Sequence, residues 1–370
     1  MEKYSSLLNK NGTKVLISGD SLSYNRYDFD PVPRTEAVLC YPGMPSWSTL
    51  VIEAIYQNDA FYKFGKDITI TGCKSVINTL PDCDEPMCRL IYSRTAVAEN
   101  GESLGFRYSC PTDTIVLYLQ KRPDSHSCLF DIYVDGAPVE SHVNTLGNPE
   151  RHQGWEQFPI ILSVSGACEH NIEFRNIQCS GTAFITLAGI GSRYVEVYNS
   201  GIGNRTVTYF IENFEERIGR YTPDIFIFSI GANDQIRLSC EQFENGLQKL
   251  TGMILGTSPG CKIVYIAPGR GQHFDEHVEY DPADVACKCG KERFDYYMEY
   301  NEILYKHAEK IGADCIDVFR LFENTPIPVW RYDNIHLTKY GNTVLAKQMI
   351  HTLMPNGYYD EKLIDASRLL

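Results

Sequence analysis

The chain contains no run of apolar residues approaching the roughly 20 that span a bilayer, and no segment in which Lys and Arg gather. With 34 basic and 47 acidic residues the formal net charge is −13. The clustered positive field that phosphate binding depends on is missing, so a nucleic-acid partner is disfavoured. Met1-Glu-Lys-Tyr-Ser-Ser-Leu-Leu-Asn-Lys-Asn11 lacks the charged, apolar and cleavage regions of a secretory leader. The expectation is a soluble chain with no membrane partner, placed in the cytoplasm unless a leader was removed from a longer precursor. A paired-cysteine framework is also lacking. The 13 cysteines are odd in number and scattered singly through apolar segments such as Leu39-Cys40 and Asp314-Cys315-Ile316, as expected of reduced core residues rather than disulfides. Nor is there finger-like ligand spacing. Cys83-Asp-Glu-Pro-Met-Cys88, and Cys287-Lys-Cys289 with His273 and His277 upstream, match the two close ligand pairs of a zinc site only loosely, so neither metal nor cofactor is expected. An apolar lid of the kind a lipase exposes is absent as well, the loop from Gly269 to Gly290 being polar.

What the chain does have is 43% apolar and 22% charged residues over a length of 370, a globular composition with room for two domains. Lys14-Val-Leu-Ile-Ser18 is an apolar run that stops at Gly19-Asp20-Ser21. It predicts a buried strand that delivers a serine to a sheet edge. A serine hydroxyl is a weak nucleophile until a base takes its proton and donors stabilise the oxyanion formed on attack. Asp333-Asn-Ile-His336 places a carboxylate and an imidazole three residues apart, just before Leu337-Thr-Lys-Tyr-Gly341, where a loop hands over to a helix. Ile225-Phe-Ile-Phe-Ser-Ile-Gly-Ala-Asn-Asp234 is a second apolar strand ending in a polar turn, with the Asn233 amide available to donate. Tyr194-Val-Glu-Val-Tyr-Asn-Ser-Gly-Ile-Gly-Asn204 is a third such edge, where Gly203 lets a backbone N–H come close to a bound group.

Gly-Asp-Ser-Leu, Gly-x-Gly, Gly-Ala-Asn-Asp and Asp-x-x-His, in that order, resemble the four blocks of the SGNH (GDSL) hydrolase family. Each block alone is weak, and the order is the specific part. The resemblance implies Ser21 as nucleophile, His336 as base and Asp333 as its orienting acid, with the Ser21 and Gly203 N–H groups and the Asn233 amide as oxyanion donors. Spacing leaves Gly201 and Gly203 both open. Gly203 is preferred because Asn204-Arg-Thr206 should start a helix. Asp234 reads as a turn or helix-capping residue, and Asp20 as one that orders the elbow. Trp330 and Arg331, and Tyr24 in the aromatic, Pro-rich loop after the serine, are candidate substrate contacts.

Strand and helix alternate beyond residue 190, as a parallel α/β sheet demands. Strands are expected at Tyr194–Asn199, Ile225–Ile230, Lys262–Ala267 and Asp314–Val318, joining Val15–Ser18. Helices are expected at Ser46–Gln57, Thr206–Arg217, Cys240–Leu255, Lys291–Ile311 and Asn342–Met354. From residue 61 to 189 the texture differs. Short strand-like runs recur, among them Ile68–Thr71, Leu104–Tyr108, Thr114–Leu119, Phe158–Leu162, Asn171–Phe174 and Phe184–Leu187. Asp135-Gly136 between two extended runs is a strong hairpin signal. The expected architecture is therefore a flavodoxin-like three-layer α/β/α hydrolase domain, as the resemblance implies, in two parts, 1–60 and 190–370. A β-sandwich of jelly-roll type is inserted at 61–189. Ser21 and Gly203 stand 182 residues apart, where the family usually has a few dozen.

The insert is similar to accessory modules of carbohydrate esterases, and its Tyr, Phe and Trp155 side chains offer faces for sugar rings, although any single one is better read as core. The expected activity is removal of O-acetyl groups from a carbohydrate, or hydrolysis of another small ester, through an acyl-enzyme. The alternatives are acyl transfer or lipase/thioesterase chemistry by the same triad and, from a different class, a non-catalytic glycan-binding protein. The oligomeric state is left open.

Overall fold

The computed structural model describes residues 3–21, 23, 46–78, 94–110, 112–148, 156–166, 168–268, 293–326, 329 and 336–355. In chain order the strands are β1 (Thr13–Gly19), β2 (Lys63–Phe64), β3 (Ser75–Asn78), β4 (Arg94–Glu99), β5 (Leu104–Cys110), β6 (Thr114–Lys121), β7 (Leu129–Val134) and β8 (Ala137–Asn144). They continue with β9 (Glu156–Ser163), β10 (Cys168–Gln178), β11 (Thr182–Gly191), β12 (Val195–Asn199), β13 (Ile225–Ser229), β14 (Lys262–Ala267) and β15 (Asp314–Asp317). Two compact units divide the chain, one formed by Met1–Ile52 with Val197–Asn356, the other by Glu53–Glu196.

The first unit is built on a five-stranded sheet in the order β12-β1-β13-β14-β15. β1, β13, β14 and β15 run parallel, with Val15 opposite Ile225 and Ile225 opposite Lys262. Every residue of β13 is buried, the continuous apolar signature of a parallel strand covered on both faces. Leu16, Phe226, Phe228, Ile263 and Tyr265 share one core with Val207 and Phe210, with Phe243, Leu247 and Leu250 of the helix Cys240–Thr257, and with Tyr300 and Leu304 of the helix Arg293–Ile311. Their neighbours in each strand, Val15, Ile17, Ile225, Ile227, Val264 and Ile266, point to the other face and are equally buried. The helices Trp47–Gln57 and Lys339–Leu353 bury their apolar residues outside the first cluster, and Trp47 N–H donates to Asn342 Oδ1 at 2.9 Å between them.

Two of the helices expected in this unit differ in extent. The predicted helix Thr206–Arg217 is two short helices, Val207–Glu212 and Phe214–Arg217, parted at Asn213. There the Asn213 amide donates to Tyr209 O at 2.9 Å, the competition with the backbone that disfavours Asn inside helices. The C-terminal helix begins at Lys339 rather than Asn342, because Thr338 caps it by accepting the Gly341 N–H at 3.2 Å.

The second unit has two antiparallel sheets, β5-β10-β7-β8 and β3-β4-β11-β6-β9, with β2 paired to β11. Strict alternation places Leu104, Phe106, Tyr108 and Cys110 of β5 on the inner face. They join Phe130 and Ile132 of β7, Ile172 and Phe174 of β10, and residues of β4, β6 and β11, in one core. The expected Asp-Gly hairpin is present. β7 and β8 are joined by Asp135 (φ 52) and Gly136 (φ 81), two left-handed residues whose twist matches that of the strands. Ile68–Thr71 is not a strand. Only Thr71 bridges, to Gly105, while Ile68 and Ile70 are buried as loop residues.

Candidate active site

The end of β1 is shaped by a close approach of two backbones. Gly19 adopts φ +132, and a Cβ there would lie 2.0 Å from Ser229 O at the end of β13 and 2.8 Å from Ser23 Oγ. Beyond it, the Asp20 N–H donates to Ser229 O at 3.1 Å and the Ser23 N–H to Asp20 O at 3.0 Å, closing a turn on which half-buried Ser21 stands. On the other side the Ser200 N–H donates to Ile17 O (2.8 Å) and the Ile202 N–H to Gly19 O (2.9 Å), while Ser200 Oγ donates to Ser18 Oγ at 2.9 Å. The turn after β12 is thereby held alongside the turn after β1.

Gly201 and Gly203 sit differently in that turn. A Cβ on Gly201 would fall 2.8 Å from Ser23 O, so the first glycine is demanded by backbone packing. Among the described residues a Cβ on Gly203 would meet only Ser21 Cβ, at 3.9 Å, which places the second glycine against the serine. Asn199 holds the arrangement together. Its Oδ1 accepts the Gly201 N–H at 2.9 Å, and its amide donates to Ser23 O at 3.0 Å and Ser48 Oγ at 3.2 Å. Sequence reasoning passed over this residue. The available signal was a polar side chain ending an apolar strand immediately before Ser-Gly.

Asn233 follows β13 and is buried, with its amide 3.4 Å from the Asp20 carboxylate. Asp20 is itself fully buried, its N–H, C=O and carboxylate all engaged around the elbow, the ordering part expected of it. Asp234 accepts the Val207 N–H at 2.7 Å and the Gly231 N–H at 3.2 Å. It thus caps, from 27 residues away, the helix that begins after the Gly203 turn. Burial, with the nearby Asp20 charge adding to it, pushes the Asp234 carboxyl up to about 7.

That shift has a measurable sign. The folded chain holds the Asp234 proton to a higher pH than the unfolded chain does, so the stabilisation is complete below about pH 4 and is lost as pH rises to about 7. Urea unfolding at pH 4.5 and pH 7.5 should show the parent losing about 3 kcal/mol more than Asp234→Asn between the two conditions. Equal losses would mean that Asp234 is ionised throughout.

His336 is half-buried and stands two residues before the cap of the last helix. Thr338 Oγ1 donates to Val329 O at 2.7 Å, and the Asn342 amide donates to Leu337 O at 3.0 Å, pinning the segment that carries the histidine. Asp333, Trp330, Arg331 and Tyr24 lie outside the described residues, as do Trp155 and the Cys83/Cys88 and Cys287/Cys289 clusters with His273 and His277. Among the described residues no group of three or more His, Cys, Asp or Glu is arranged to hold a metal ion, and no helix is long and apolar enough to cross a membrane.

Residues 186–344 match the GDSL-like Lipase/Acylhydrolase family. No curated protein matches the chain. Among solved structures, a peptidoglycan O-acetylesterase is 11% identical, with 98% of this chain and 95% of that one covered and a TM-score of 0.40. A variant of an acetylxylan esterase from Geobacillus stearothermophilus is 19% identical, covering 43% and 72%, with a TM-score of 0.35. A lipase/acylhydrolase from Enterococcus faecalis is 14% identical, covering 45% and 80%, with a TM-score of 0.36. The serine strand β1 lies outside the matched segment but is hydrogen-bonded into the sheet that this segment builds, so the GDSL-like lipase/acylhydrolase match at 186–344 and the Gly-Asp-Ser turn belong to one domain.

Proposed function

We propose that this SGNH hydrolase is a serine esterase that removes O-acetyl groups from a carbohydrate through an acyl-enzyme. Ser21 is the nucleophile, His336 the general base and Asp333 the acid that orients it. His336 takes the Ser21 proton as Oγ attacks the ester carbonyl carbon. The resulting oxyanion is met by the Ser21 and Gly203 N–H groups and by the Asn233 amide. The proton then passes to the departing sugar oxygen. Water, activated by the same histidine, releases acetate and restores Ser21.

What supports this reading is the grouping of the turns after the adjacent strands β1, β12 and β13, with Gly203 beside the Ser21 Cβ and the Asn233 amide beside the carboxylate of Asp20, the residue before the serine. The carboxyl ends of strands are where open α/β sheets gather functional groups. The carbohydrate assignment rests on the polar sequence from Gly269 to Gly290 and on the intervening antiparallel unit, which we read as a jelly-roll sandwich of accessory type. Trp330, Arg331 and Tyr24 are assigned to the rim that receives the sugar.

Asn233→Ala should lower kcat about 10²–10³-fold on a chromogenic acetate, with the melting temperature held as a check on folding. A variant that keeps full turnover would remove Asn233 from the oxyanion site. For the substrate, incubation with a panel of acetylated polysaccharides should release acetate from at least one. If the chromogenic acetate is cleaved but no polysaccharide loses acetate, the esterase stands and the carbohydrate assignment fails.

A further inference from the structure

In the second unit, far in sequence from the serine, a thiol, an imidazole and a carboxylate come together. His170 is fully buried, with Nδ1 2.7 Å from Asp135 Oδ2 and Nε2 3.2 Å from Gly166 O. Cys168, at the exposed start of β10, sets its Sγ 3.5 Å from the same Nε2. Asp135 belongs to the β7–β8 turn and also accepts the Asn171 N–H at 2.8 Å. The His170 hydrogen bond, and then that N–H, hold its carboxyl below the usual range. An imidazole braced by a carboxylate and set against sulfur is an arrangement that assists loss of the thiol proton.

A second thiol faces the first. In the antiparallel pairing of β10 with β5, Cys168 is directly opposite Cys110, and both are free. Directly opposed residues have Cα atoms about 4.5 or 5.5 Å apart, inside the roughly 4.4–6.8 Å that a disulfide needs. Cys110 is buried, its Sγ 3.1 Å from Thr114 O. It needs no access to solvent, because its reaction partner is Cys168.

We propose that Cys168 and Cys110 form a thiol-reactive site for small disulfides, Cys168 attacking first and Cys110 resolving. The Cys168 thiolate displaces one sulfur of the reagent, whose departing thiolate takes up a proton. The Cys110 thiolate then attacks the Cys168 sulfur and expels the second reagent thiol. The protein loses two electrons and two thiol protons, and the reagent disulfide gains both. The product is a cross-strand bond at the end of the four-stranded sheet. The inference is independent of the esterase assignment.

The test uses the full chain, reduced, desalted, exposed to oxidised glutathione, quenched with an alkylating agent and mapped by mass spectrometry. A Cys110–Cys168 linked peptide is expected in the parent. Cys110→Ser should stop at a glutathione adduct on Cys168, and Cys168→Ser should leave Cys110 unmodified. Asp135→Asn keeps a residue suited to the left-handed turn while removing the carboxylate behind His170, and should slow the first adduct severalfold. A parent in which Cys168 stays free while half-exposed Cys179 is modified would overturn the proposal. So would an adduct on Cys168 that never resolves, and an Asp135→Asn rate equal to the parent's would remove the histidine's part.

Discussion

Replacing Ser21 by alanine should lower kcat on a chromogenic acetate by about 10⁵-fold or more, to the residual rate that binding and the oxyanion donors sustain alone. The loss is large because the nucleophile, base and orienting acid act as a unit, so removing one forfeits most of what the three supply together. His336→Ala should therefore fall to a similar floor, and the double variant little further. Folding should be spared. Ser21 is half-buried on a turn whose hydrogen bonds run through Asp20 and Ser23, and alanine removes a single oxygen. Turnover that survives in Ser21→Ala with an unchanged melting curve would defeat the esterase reading. A collapsed melting curve would instead show that Ser21 is needed for the fold.

Gly19→Ala, two residues earlier, should do the opposite and damage the fold first. Its φ of +132 is strained for any side chain, and the new methyl carbon would lie 2.0 Å from Ser229 O, a backbone atom of the paired strand β13. Backbone strain of about 1–3 kcal/mol and a similar overpacking cost add to a loss of several kcal/mol. β1 can relieve the contact only by moving away from β13, which carries Ser21 with it. The variant should unfold at markedly lower urea concentration and lose activity even where it remains folded. Gly252→Ala is the control. It lies within the helix Cys240–Thr257, where a Cβ meets nothing within 4 Å among the described residues, and should be neutral or stabilising by up to about 1 kcal/mol. If the two variants unfold alike, the close approach at Gly19 is not what shapes the elbow.

Much of this was legible in the residues because the relevant signals are local. An apolar run ending in Gly-Asp-Ser reads as a strand delivering a serine, and Asp135-Gly136 reads as a tight turn because few other pairs accept two positive φ values. Local signals also mislead. Ile68–Thr71 has strand composition, but strands exist by pairing, and its isoleucines are buried without a ladder. The helix expected over Thr206–Arg217 is broken at Asn213, which the alternation of strand and helix along the chain did not reveal. Least legible was Asn199, whose partners Ser23 and Ser48 lie 176 and 151 residues away. No window along the chain shows such a contact. The cap supplied by Asp234 was foreseen in kind, but its recipient, the Val207 N–H, was not.

The pairing of β1 with β13 joins Val15 to Ile225, and this has a consequence for biogenesis. A nascent chain exposes β1, with Val15, Leu16 and Ile17 at its centre, long before its neighbours leave the ribosome, whereas the hairpins of the second unit close on near neighbours as they emerge. The serine strand must wait through the synthesis of an entire intervening unit. In that interval it is an unshielded adhesive segment, so yield during expression should depend on chaperone supply more steeply than the stability of the finished protein would suggest.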